Sequence, residues 1–254
     1  MKSFELLLVL IGFVGLVAIS QAATNYCAKE LCGSAAKHIA CNATGQFADT
    51  CSSDRKLITM TPEITAAILN RMNLLRNRLA SGNMTKFQPC PRMATMSWNA
   101  ELSKLAELNV KTCKYGHDAC HNTLTSPQSG QNIGMLLSDA PLTATPLNMI
   151  IQIINAWWAE SKDTTMTEIN KYPESPKAVI GHFTEMVIQA NYLAGCSAGS
   201  FILNKQYAFL FVCNFHKINI INGAIYVPGK SASKCSTGPN PRYKGLCSNK
   251  EKYQ

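Results

Sequence analysis

Between Thr61 and Gly82 the apolar residues Ile64, Ile68, Met72, Leu75 and Leu79 recur at three- and four-residue spacing. That spacing lays one apolar stripe along a helix. Thr61 supplies its cap, Pro62 the first helical position, Glu63 an acid in the first turn and Gly82 a stop. A second helix is predicted from Asn99, with Glu101 in its first turn and Leu102, Ala106, Val110 and Cys113 along one side. A third follows Thr145 and Pro146, crowding Ile150, Ile151, Ile154, Trp157 and Trp158 on its buried side. Residues 122–141 between them read as turn-rich, interrupted by the stretch 131–136. A short helix is predicted over 178–189. Strands are predicted near 193–203 and 205–215, joined at Asn204 and Lys205, with another short strand at 224–227. The 205–215 run is nearly all apolar, as in a strand covered on both faces. Helices set apart from a compact run of strands predict an α+β fold.

The ends of the chain read differently. Residues 1–22 have a basic start at Lys2, an uncharged apolar run over 6–19 and small residues at Ser20, Ala22 and Ala23. This predicts a secretory signal peptide cleaved near Ala22 or Ala23. The run falls short of the ~20 apolar residues that span a bilayer. The product is therefore expected outside the cell and not as an integral membrane protein. Residues 23–60 hold Cys27, Cys32, Cys41 and Cys51 with little periodicity, and are expected to form an irregular crosslinked extension ahead of a core domain over 61–227. Eleven cysteines in an exported chain predict disulfides. Asn42-Ala43-Thr44 and Asn83-Met84-Thr85 are glycosylation sequons at Asn42 and Asn83.

The formal charge is +9, which suits adhesion to acidic glycans or anionic membranes, or simple solubility. The export signal and the lack of a recognisable binding module argue against nucleic acid. The tail, 228–254, carries Lys230, Lys234, Arg242, Lys244, Lys250 and Lys252 and reads as a solvated extension or a surface contact. Cys235 and Cys247 are close enough in sequence to pair with each other.

Several short motifs fall in a recognisable order: Asn73-Leu74-Leu75-Arg76, then 93–98 followed by Leu102, Gly130-Gln131-Asn132, Trp157-Trp158-Ala159-Glu160, Gly181-His182-Phe183-Thr184 and Val212-Cys213-Asn214-Phe215. Over 61–227 the chain resembles the CAP superfamily of cysteine-rich secretory, antigen 5 and pathogenesis-related proteins. The amino-terminal cysteines and the stretch Cys113-Lys114-Tyr115-Gly116-His117-Asp118-Ala119-Cys120 resemble insect antigen 5. The resemblance implies a three-layer α-β-α sandwich with a central cleft. It also implies the pairs Cys27–Cys41, Cys32–Cys120, Cys51–Cys113 and Cys196–Cys213. Cys90 is then left over, as a buried thiol in a monomer or as a link between two chains. Two His and two Glu surround the cleft in many relatives, and the matching positions here are His117, Gln131, Glu160 and His182. Gln131 departs from the frequent Glu, though antigen 5 proteins commonly carry Gln there. Met72 and Ile188 replace a frequent His and a frequent Trp.

Two imidazoles and a carboxylate suit an open zinc site, with His117, Glu160 and His182 as ligands and water in the fourth position. The alternative is that each His is hydrogen-bonded and no metal binds tightly. No His-Glu-x-x-His spacing holds two ligands on one helical face. The expectation is no required cofactor, with weakly bound zinc at His117 and His182. Gly195-Cys196-Ser197-Ala198-Gly199 fits a nucleophile elbow by letter, but a strand rather than a helix is predicted after it. Pro89 and Pro91 flank Cys90, so that thiol does not open a helix. Trp157 and Trp158 either line a lipid pocket or fill the core. These readings predict a secreted, non-enzymatic binding protein of the kind found in venom, salivary, gut or seminal secretions. Its partner would be a small apolar ligand, a glycan or an extracellular protein. A zinc-assisted hydrolase is the alternative.

Overall fold

The structure is a computed structural model that describes residues 24–34 and 36–253. The expected signal peptide lies outside the described residues. The elements run α1 (Lys29–Cys32), β1 (Lys56–Ile58), α2 (Pro62–Ala80), β2 (Ser97–Trp98), α3 (Ala100–Val110), β3 (Gly130–Ser138), α4 (Pro146–Ala159), a 3-10 turn (Glu160–Lys162), α5 (Met166–Asn170), α6 (Gly181–Val187), β4 (Leu193–Leu203) and β5 (Gln206–Phe215).

The sheet is ordered β1-β4-β5-β3, with β2 pairing in parallel at the start of β4. Strand β5 is central and antiparallel to both neighbours. Because side chains alternate along a strand, its apolar run supplies two cores. Phe209, Phe211, Cys213 and Phe215 pack with α2, α4 and α6, while Ala208, Leu210 and Val212 pack with Ala106 and Val110 of α3. The molecule is an α+β three-layer α-β-α sandwich.

Local chemistry sets the helix starts. Thr61, Asn99 and Thr145 each accept a backbone N–H three residues on, from Ile64, Leu102 and Asn148. Such caps contribute ~1 kcal/mol each. At Gly195 a side chain would have its Cβ 2.2 Å from the backbone nitrogen of Ser103, so glycine lets α3 lie against β4. Ser197 and Cys196 are therefore inside a strand, and the elbow reading fails.

Arg76 is fully buried on α2 and donates to the carbonyls of Ala94, Met186 and Ile188. Burial lowers its pKa to about 10, which leaves it charged at neutral pH. It ties three chain segments together at one cation.

Several sequence expectations are corrected. The stretch read as turn-rich contains β3, paired along its length with β5. Residues 224–227 form no strand: the adjacent Ile225 and Tyr226 are both buried, and Ile225 bonds through its backbone to Ile169 and Gln189. Cys113 lies beyond the end of α3 with φ 54°, so it is not part of the helical stripe. On α4, Ile153 is buried and Ile151 only partly so. The fourth helix is shorter than 178–189.

The tail is not a solvated extension. Leu246 and Cys247 are fully buried, and Gly245 and Tyr243 bond to Asn77 and Asn70 of α2. Glu251 accepts from Arg92, Ser236 and Thr237.

Disulfides join Cys27–Cys41, Cys32–Cys120, Cys51–Cys113, Cys196–Cys213 and Cys235–Cys247. Cys196 and Cys213 face each other across β4 and β5. The Cys90 sulfur is free but wholly buried, and burial pushes its pKa up to about 11. A Cys90-linked dimer would require the segment to leave the core. Asn42 and Asn83 are both exposed.

Candidate functional site

A cleft of about 700 Å³ opens at the Gly130 end of β3, bounded by the loop after α3, α6 and the segments around Tyr172 and Asn219. His117, Gln131 and His182 line it; Glu160 does not. Two hydrogen-bonded corners organise the site.

The first corner is helical. Glu160 follows α4, and His182 sits in the first turn of α6. Glu160 Oε1 lies 2.6 Å from His182 Nδ1, and Oε2 accepts the backbone N–H groups of His182 (2.9 Å) and Phe183 (3.0 Å). The carboxylate thus satisfies donors left open at a helix start. Trp157 stacks on the His182 ring at 5.9 Å, and Asn132 Nδ2 donates to the His182 carbonyl. The imidazole is oriented, and its Nε2 has no hydrogen bond among the described residues.

The second corner is built from loop and strand. His117 Nδ1 lies 2.8 Å from Gln131 Oε1. The Gln131 amide then donates to Asp118 Oδ2 (2.8 Å) and to Asn214 Oδ1 (2.9 Å). Asn214 is itself oriented by donating to the Leu102 carbonyl. This explains the amide at position 131. It faces two acceptors, where a Glu would set one carboxylate against another.

Asp118 also meets His121 Nδ1 at 2.7 Å and accepts from Asn109 Nδ2 at 3.1 Å. Burial alone would raise its pKa. The hydrogen bond and charge of His121, with the Gln131 and Asn109 amides, overcome that and hold it below the usual carboxylate range.

Glu185, on α6, lines the cleft but is only 2% exposed. Burial raises its pKa to about 8; the Asn219 backbone N–H and Asn191 amide only partly oppose this. It is therefore largely a neutral acid at physiological pH. A Cβ at Gly130 would fall 2.2 Å from its Oε1, so glycine opens β3 to make room for it.

The structure brings His117 to Gln131 and His182 to Glu160, with all of these but Glu160 lining one cleft. It does not assemble the three-ligand set His117, Glu160 and His182, because both Glu160 oxygens are taken up by the His182 ring and the backbone N–H groups at the start of α6. Among the described residues no group of three or more His, Cys, Asp or Glu side chains is arranged to hold a metal. The residues fit at most a two-imidazole site. Trp157 and Trp158 are core residues: Trp157 stacks on Phe211, and Trp158 meets Phe183 edge-on.

Sequence reasoning missed Asp118, His121, Asn214 and Glu185 as site residues. Asp118 lay inside the Cys113–Cys120 stretch and Glu185 inside the helix motif, so position alone could have flagged both.

Comparisons with known proteins identify the family and the fold. The cysteine-rich secretory protein (CAP) family matches residues 69–215. Venom allergen-1 of Aedes albopictus is 35% identical over 93% of this chain and 92% of that protein. The antigen 5 like allergen Cul n 1 of Culicoides nubeculosus is 38% identical over 68% of this chain and 82% of that protein. In fold, the crystal structure of NaASP2 with Zn2+ matches with a TM-score of 0.59 at 24% identity, covering 74% of this chain and 96% of that one. The structure of BmVAL-1 matches with a TM-score of 0.61 at 20% identity, covering 74% and 95%. The chain belongs to the CAP family and is of its insect antigen 5-like kind.

Proposed function

We propose that this protein acts outside the cell by binding, and that its cleft recognises a ligand rather than transforming one. One observation carries this reading: none of the carboxylates bonded into the two corners of the site, nor the buried Glu185, is free to take a proton from a substrate, and the other carboxylate at the cleft, Glu174, is an exposed rim residue bonded to no imidazole. Position 131 is an amide. Glu160 is engaged by three donors, Asp118 by three more, and Glu185 is buried and largely protonated. A general base needs an open lone pair within hydrogen-bond reach of the substrate proton.

The cleft is of a size that takes small molecules. Its occupant is a small apolar ligand, a glycan or a segment of an extracellular protein. The zinc named for the NaASP2 crystal suggests a role for His117 and His182 here: their Nδ1 atoms are fixed, so each offers Nε2 to a weakly held ion. Such an ion would supply positive charge for an anionic ligand group. The five disulfides and the secreted nature of venom allergens support an extracellular setting, with venom, saliva, gut and seminal fluid all compatible.

Native mass spectrometry of protein taken from its own secretion, before and after chelation and solvent extraction, tests the reading. A removable ligand mass is expected. Ester or peptide turnover abolished by His182→Ala would instead establish the zinc-assisted hydrolase and overturn it.

A further inference from the structure

We propose that the loop after β5, with the segment before α6, is a docking surface for an anionic lipid bilayer. Val179, Ile218, Ile220 and Ile221 are 68%, 43%, 48% and 50% exposed. Val179, Ile218 and Ile221 share the rim of the cleft, and Ile218 and Ile220 border the next depression, so the patch is continuous. A soluble surface that leaves four β-branched aliphatic residues together in water marks an interaction site.

The backbone beneath is ordered by its own bonds. Tyr172 and Gly223 are joined N–H to carbonyl, Asn222 donates to the Tyr172 carbonyl, and Gly223 donates to Ile220. Asn219 donates from its backbone to Glu185 and from its amide to the Gly181 carbonyl. The isoleucines are thus presented on a fixed loop, and docking need not order it first.

The surrounding charge selects the partner. Lys171 and Lys177 lie on one of these segments and Lys217 on the other, against Glu174, the one exposed acid of the two segments. Protein interfaces favour aromatic residues, Met and Arg and are depleted in Lys. Aliphatic residues with lysines close by on the same segments instead suit the interface of a bilayer: the branched chains enter the acyl boundary and the lysine stems reach back to anionic headgroups. The chain's charge of +9 adds long-range attraction of the same sign.

Co-sedimentation of the full secreted chain with phosphatidylcholine vesicles, with and without phosphatidylserine, tests this. Binding is expected to the anionic vesicles, weakening between about 0.05 M and about 0.5 M salt. The Ile218→Ser/Ile221→Ser variant should bind at least about tenfold more weakly. Lys177→Gln and Lys217→Gln should each cost about fivefold. Leu137→Ser, an equally exposed position at the far end of β3, should bind like the parent. The Ile221→Trp variant gives a direct readout: its fluorescence should shift to the blue on anionic vesicles. Three outcomes overturn the proposal: no sedimentation of the parent chain, sedimentation unchanged in the double Ile variant, or Ile221→Trp fluorescence that moves only with a soluble protein partner.

Discussion

Two of the carboxyl groups that line the cleft have their pKa values shifted in opposite directions. Asp118 and Glu185 are both largely withdrawn from water, so burial acts on each the same way. Asp118 meets an imidazole and two amides and is held below the usual range. Glu185 meets one backbone N–H and one amide, with no cation, and rises to about 8. The difference teaches that at this cleft the partners, more than the depth, decide charge. Amide side chains contribute to both partner sets: Gln131 and Asn109 on one side, Asn191 on the other.

The comparison breaks most severely at Gln131→Glu. That change removes a donor from Asp118 and sets a second anion beside it. A loss of about 3 kcal/mol at neutral pH is expected in urea denaturation. The loss should shrink in acid, because one carboxyl of the new pair then takes a proton.

Glu185→Gln sharpens the other half. The folded pKa of Glu185 lies above its unfolded value, so the native state holds the extra proton. Stability from this group is present below about pH 4.5 and is lost as pH rises to about 8, by at most about 1.4 kcal/mol per pH unit. The Gln variant should lack that slope and be about 2 kcal/mol more stable than the parent near pH 8. Melting temperatures across this window decide it; a slope equal to the parent's would show that Glu185 is already ionised.

Asp118→Asn should act in the reverse sense and more weakly. A depressed folded pKa gives stability that is present above the ordinary carboxylate range and lost as pH falls through the folded value. The variant should be about 1–2 kcal/mol less stable at neutral pH, with the gap closing in acid. His117→Ala, at an exposed ring, should cost no more than about 0.5 kcal/mol in the same assay.

How much of this was legible in the sequence follows from what each residue faces. Helices α2, α3 and α4 announce themselves because a capping side chain precedes each apolar stripe. Strand β3 does not. Its first residues are Gly130, Gln131 and Asn132, chosen for the cleft: glycine clears Glu185, the glutamine bridges His117 and Asp118, and the asparagine holds His182. Those demands erase the alternation that would mark a strand. Arg76 and Glu185 were illegible for a related reason. A pattern of polar and apolar letters places charge in water, and only tertiary structure brings carbonyls to the one and an enclosing wall to the other. The tail misled through its lysines, while Leu246, Cys247 and Glu251 did the anchoring. The cleft residues His117, Gln131, Glu160 and His182 came from likeness to relatives; spacing alone would not have grouped them.

The loop bearing His117 is fastened at Cys113 and Cys120, and both bonds run back to the irregular amino-terminal segment, at Cys51 and Cys32. One wall of the groove is thus stitched to positions 62 and 88 residues earlier in the chain. Reducing those two bonds would unfasten the wall that carries His117, while the apolar residues on both faces of β5 would still have their packing partners.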